Sequence, residues 1–158
     1  MVDGNKGYGL DDSPVRARGA QFKVVRERMH LPSSYIAARC GVSRITVSRW
    51  ESGVTRIPPA AAALLWELDN YSHRCVDAVV DAARARTAPM VVVWEHAEEM
   101  PPGRGRDLGP RWWRAVAGRA MDRVPALIVG SPRELDRITG SRERTMAEAI
   151  GLGVTPIR

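Results

Sequence analysis

Arg44, Ile45, Ser48 and Arg49 lie within one short segment and share a face at the helical period. Two guanidinium groups, a hydroxyl and a branched alkyl group in that arrangement suit one chemistry. Arginine pairs bidentately with guanine O6 and N7, hydroxyls bond phosphates or base edges, and an alkyl group can meet a thymine methyl. A short polar helix carrying them fits a major groove about 12 Å wide. The implied contact set is Ser43, Arg44, Ile45, Thr46, Ser48 and Arg49, with Ser33 and Arg56 as backbone clamps. Ile45 has a second reading, inward packing. The plainer role of the hydroxyls is capping, and that of the arginines is a solvated helix face.

The elements that must position these side chains are legible around them. Residues 33–51, SSYIAARCGVSRITVSRWE, read as two short helices joined by a tight turn. Ala37 suits a close helix crossing. Gly41 falls where the first helix must stop, because glycine takes a positive φ there at little steric cost. Ser43 then caps the second helix, and Ile36, Val42, Val47 and Trp50 form its inner face. A preceding helix, from about Pro14 or Arg18 to Met29, buries Phe22, Val25 and Met29. A following one, from about Pro58, buries Ala61, Leu64, Leu65 and Leu68.

From about Gln21 to Leu68 the chain resembles the helix-turn-helix of the Cro/cI and XRE-type family of phage and bacterial repressors. The resemblance is carried by QFKVVRERMH, by GVSRITVSRWESG and by the Pro-started helix that follows. Pro32-Ser33-Ser34 replaces the more usual Ser-Gln start of the second helix, so Ser33 stands in for a glutamine clamp. Cys40 takes a common apolar position. The resemblance implies DNA binding. It also implies an ion pair between Arg26 and Glu51 that orients the recognition helix and holds Arg26 near a phosphate.

Beyond Leu68 the pattern predicts a break at Asn70–Ser72, then a fifth helix from Ser72 to Thr87 with Val76, Val79, Val80 and Ala83 inside. MVVVWEHA reads as a buried strand, MPPGRGRDLGP as a loop, PRWWRAVAGRAMDRV as an amphipathic helix and ALIVG as a second strand. SPRELDRI and RERTMAEAI read as one or two closing helices. The predicted fold is mainly α: a helix-turn-helix bundle of four to five helices plus a small α+β (strand-helix-strand) C-terminal dimerisation region. The expected segments are a disordered tail at 1–13, a DNA-binding domain at 14–70 and the dimerisation region at 71–158. Two strands do not make a stable sheet alone. A second copy is therefore expected to cover Val91, Val93, Trp112, Trp113, Val116 and Ile128. In layout, without a shared motif, this half resembles dimeric phage autoregulators of the anti-CRISPR-associated type.

Charge supports a polyanionic partner. The chain has 158 residues and a formal net charge of +6. Between Pro14 and Arg56, nine basic residues face two acids, Glu27 and Glu51, so the positive charge gathers on the reading module. Arginine far outnumbers lysine, which occurs only as Lys6 and Lys23, and this reads as the codon bias of a GC-rich genome. Cys40 and Cys75 give no disulfide framework. His73, Cys75, Glu95, His96, Glu98 and Glu99 fit no zinc spacing. No cofactor motif, phosphate-binding glycine loop or catalytic pairing is expected, and no aromatic platform for RNA stands out. No leader or membrane-length apolar run is visible, so a cytoplasmic protein is expected.

The function expected is that of a sequence-specific, dimeric DNA-binding regulator, a phage or bacterial repressor on an inverted-repeat operator, with any effector undefined. The alternative is a toxin–antitoxin type or other interaction protein whose C-terminal half binds a different chain. An enzyme or ligand sensor built on that half is the third reading.

Overall fold

Three short helices and the start of a long one build the N-terminal part: α1 (Gly19–Arg28), α2 (Ser33–Cys40), α3 (Arg44–Glu51) and α4 (Pro59–Arg84). These come from a computed structural model that describes residues 18–139 and 149–150. The chain divides into two units at Ser72/His73. The tail at 1–13 and most of RERTMAEAI lie outside the described residues.

The first unit owes its shape to two tight helix ends. α2 stops at Gly41, with φ 66° and ψ 33°. The Val42 N–H donates to the Ala37 carbonyl at 3.0 Å and the Gly41 N–H to that of Ala38 at 3.4 Å, the paired bonds of a Schellman motif. α1 ends the same way with a histidine in the left-handed position. His30 has φ 53°, its N–H donates to Glu27, and the Leu31 N–H donates to Arg26. Phe22, Val25, Met29, Leu31, Ile36, Val47, Trp50, Ile57, Leu65 and Leu68 are buried. Phe22 meets Trp50 edge to face, with ring centroids 6.3 Å apart. Val42 is half-buried, less enclosed than its inner-face position predicts.

α4 corrects one expectation. No break occurs at Asn70–Ser72, and a single 26-residue helix replaces the two predicted. The segment holds neither glycine nor proline, and the Ser72 hydroxyl donates back to the Leu68 carbonyl at 2.8 Å. A serine satisfied in this way no longer competes with the helix.

The second unit contains β1 (Met90–Val92), β2 (Ile128–Gly130) and β3 (Ala149–Ile150), all parallel, in the order β2-β1-β3. Met90 stands opposite Ile128 on one side and Ala149 on the other. Between β1 and β2 run a 3-10 turn (Ala97–Glu99), α5 (Arg104–Leu108) and α6 (Pro110–Arg123); α7 (Pro132–Thr139) follows β2. All three residues of β1 are buried, so both its faces are covered. Met90 and Val92 cluster with Leu135 of α7. An N-terminal capping box starts α7: the Ser131 N–H donates to Glu134 Oε2 at 2.8 Å and the Glu134 N–H to Ser131 Oγ at 3.4 Å. The Ser131 N–H, together with the Ser131 hydroxyl that donates to the same oxygen at 2.9 Å, holds the Glu134 carboxyl below its ordinary range.

The mainly helical bundle with a small α+β region matches the sequence reading. Several details differ. β1 ends at Val92 rather than running through WEHA, because the carbonyls at its end and just past it turn to α6. Trp113 Nε1 donates to the Val92 carbonyl at 2.7 Å and Arg114 Nη1 to that of Trp94 at 2.6 Å. The expected loop contains α5, tied down where Arg106 Nε donates to the Met100 carbonyl at 2.7 Å. A strand, β3, stands at Ala149–Ile150 where a closing helix was expected. Val91, Trp112, Trp113 and Val116 are enclosed within this unit, so they are core residues and not the exposed interface predicted. Val93 is half-buried, and Ile128, on the edge strand β2, remains 37 % exposed.

A left-handed non-glycine residue costs about 1–2 kcal/mol. His30→Gly is therefore expected to raise stability by up to about 1 kcal/mol after the added chain entropy of glycine is offset. Urea denaturation followed by circular dichroism measures this, and an unchanged or lower midpoint would contradict it.

Candidate nucleic-acid interface

Eight residues make α3, and their environments divide cleanly. Val47 and Trp50 are buried, while Arg44, Ile45, Ser48 and Arg49 are exposed. Ser43 caps the helix: the Thr46 N–H donates to its Oγ at 3.1 Å, and the two hydroxyls lie 3.0 Å apart. Thr46 is accordingly half-buried, turned toward its cap. Ile45 is 68 % exposed, which settles its orientation as outward rather than inward. Neither the Arg44 nor the Arg49 guanidinium has a hydrogen-bond or ion-pair partner among the described residues. α3 thus brings two cations, one hydroxyl and one alkyl group together on an outer face.

α1 holds this helix from behind. Arg26 Nε donates to Glu51 Oε1 at 2.6 Å and Nη2 to Oε2 at 3.1 Å, a bidentate pair at the last residue of α3. Nη1 donates to the Leu31 carbonyl at 2.8 Å. The predicted pair is present, but Arg26 is only 8 % exposed. It belongs to the scaffold beneath α3. Its donors are taken up by Glu51 and the Leu31 carbonyl, and Nη2 also lies 3.6 Å from Glu27 Oε1.

Two supports went unread in the sequence. Arg28 Nε donates to Asp69 Oδ1 at 3.1 Å, and its Nη2 pairs with Oδ2, tying α1 to α4. Asp69 is fully buried. Its signal was a carboxylate beside Leu65 and Leu68, on a face where a charge needs a partner. The second support is Gly19. A Cβ there would stand 2.1 Å from the Trp50 carbonyl oxygen and 2.8 Å from that of Glu51. The start of α1 therefore touches the end of α3 through bare backbone.

Of the remaining candidates, Ser33 opens α2 behind Pro32 and is half-buried, and Arg56 is exposed in the segment after α3. Cys40 closes α2, where burial pushes its thiol up against the smaller opposing effect of Arg39. In the second unit, Arg119 Nη2 donates to His73 Nδ1 at 2.8 Å. Among the described residues no three His, Cys, Asp or Glu side chains gather as a metal site.

The geometry of α1 to α4 is matched by a family model. Residues 22–72 match the helix-turn-helix family, over less than half of the chain. This segment is an XRE-type helix-turn-helix domain. A domain of this kind belongs to DNA-binding transcription regulators. No curated protein and no solved structure gives a significant match to the chain. Among the described residues, no helix is long and apolar enough to cross a membrane.

Substitutions at Glu51, Arg26 and Gly19 check the support of the helix-turn-helix domain. Glu51→Met leaves Arg26 buried without its carboxylate and is expected to cost about 3 kcal/mol. The double change Arg26→Met/Glu51→Met should cost less than that single change, as chemical denaturation of the four variants of the cycle will show. Gly19→Ala should lower stability by about 1–3 kcal/mol through overpacking at the Trp50 carbonyl; a wild-type unfolding midpoint would contradict the close approach.

Proposed function

We propose that the chain is a sequence-specific repressor of phage or bacterial origin that acts in the cytoplasm as a homodimer on an inverted-repeat operator. One observation carries the reading: α3 presents Arg44 and Arg49 outward, with neither paired among the described residues, on a helix capped by Ser43. Arginines so placed suit guanine edges and phosphates. Ser48 adds a hydroxyl on the same face, and Ser33 and Arg56 are the proposed backbone clamps.

The dimer rests on a size argument. A helix of eight residues is about 12 Å long and reads only a few base pairs. Two such helices in successive major grooves, about 34 Å apart, double the sequence read and match a two-fold operator. The second unit offers an edge strand, β2, with Ile128 exposed on it, and this is the surface proposed for pairing with a second copy. Repression follows from occupying DNA that polymerase needs.

Selection of bound sites from random duplex DNA tests the reading directly. The selected sites should contain inverted repeats with guanine in each half. Arg49→Ala should bind them about 10- to 100-fold more weakly, since a bidentate arginine contributes about 1–3 kcal/mol of discrimination, with circular dichroism unchanged. Affinity should fall steeply with salt. Failure to enrich any site at low ionic strength, or a monomer in sedimentation at the concentrations that bind, would overturn the reading.

A further inference from the structure

We infer that Ile45 reads the C5-methyl group of a pyrimidine, so that binding depends on that methyl and not only on hydrogen bonds. The inference rests on the DNA-reading role proposed for α3 and names part of what that helix recognises. Ile45 is 68 % exposed on a helix whose other outward side chains are Arg44, Ser48 and Arg49. It is the second residue of α3, in the N-terminal turn, the part of a recognition helix that comes closest to base edges. Its neighbour Thr46 is turned to the Ser43 cap, with the hydroxyls 3.0 Å apart. Ile45 and Arg44 are therefore the outward side chains of this turn, and Ile45 is its one apolar group.

The major-groove edges of the four bases offer donors and acceptors and one apolar group, the C5-methyl of thymine. An isoleucine has nothing to bond at the other positions, and against an amino or carbonyl group it would strip water without replacing it. Ile45 and Arg49 stand four residues apart, on one stripe of the helix. Arg49 on guanine would place Ile45 over a neighbouring base, which suits a step pairing a C5-methyl pyrimidine with guanine. 5-Methylcytosine carries its methyl at the same ring position as thymine, so both sources share the recognised chemistry.

The test uses the full chain and a duplex taken from site selection. Each thymine is replaced in turn by uracil, which differs only by the methyl. Wild type should lose about fourfold in affinity at one thymine per half-site, the factor that corresponds to about 0.8 kcal/mol for one methyl removed from water. Ile45→Ala, on an exposed position, should bind the thymine and uracil duplexes equally. Placing cytosine or 5-methylcytosine at that position separates the sources: tighter binding of the methylated form by wild type alone shows that the methyl itself is read, and equal binding of the two forms limits the reading to thymine. Wild-type affinity unchanged by every thymine-to-uracil replacement would overturn the inference while leaving DNA binding in place. Absence of any selected duplex would instead overturn the DNA-reading role and this inference with it.

Discussion

The salt link between Arg26 and Glu51 is the constraint on which the reading face depends. α3 has eight residues, too few to hold a helix by itself in water. Val47 and Trp50 seat it, but two apolar contacts leave a short cylinder free to roll. The planar, bidentate pair fixes its far end, and Arg26 also donates to the Leu31 carbonyl while its own carbonyl accepts the Leu31 N–H. One side chain thus couples the turn after α1 to the end of α3. A buried ion pair contributes little net stability over an apolar replacement, so its value here is orientation. Arg28 and Asp69 repeat the device two residues further along α1, toward α4.

Local signals were readable, and through-space ones were not. Gly41, Ser43, the outward Arg44 and Arg49, and the inward Val47 and Trp50 follow from spacing alone, because helix ends and faces are decided by nearest neighbours. The Arg26–Glu51 pair was visible only through resemblance, since the two are 25 residues apart. Gly19 gave no sign, because a glycine at a helix start looks like an ordinary boundary until the carbonyl of Trp50 is seen against it. His30 was hidden by the usual expectation that a left-handed helix end is glycine or asparagine.

The second unit shows where periodicity stops informing. An amphipathic helix with Trp112 and Trp113 on its apolar side reads the same whether its own chain or another copy covers it. Here its own chain does, and the Trp113 indole satisfies a carbonyl of the central strand. β3 was missed for a related reason. Its two residues carry no alternation of their own and become a strand only by pairing with β1.

The order β2-β1-β3 has a consequence for synthesis. Everything that aims α3 lies between Gly19 and Asp69, so its partners have all been made once the chain reaches Ser72. β1 must wait for Ala149 to emerge before its second edge is closed. Closing so wide a loop is slow, and parallel partners far apart in the chain meet late. The nascent polypeptide should therefore carry a finished reading head for some time while its other half is still maturing on the ribosome.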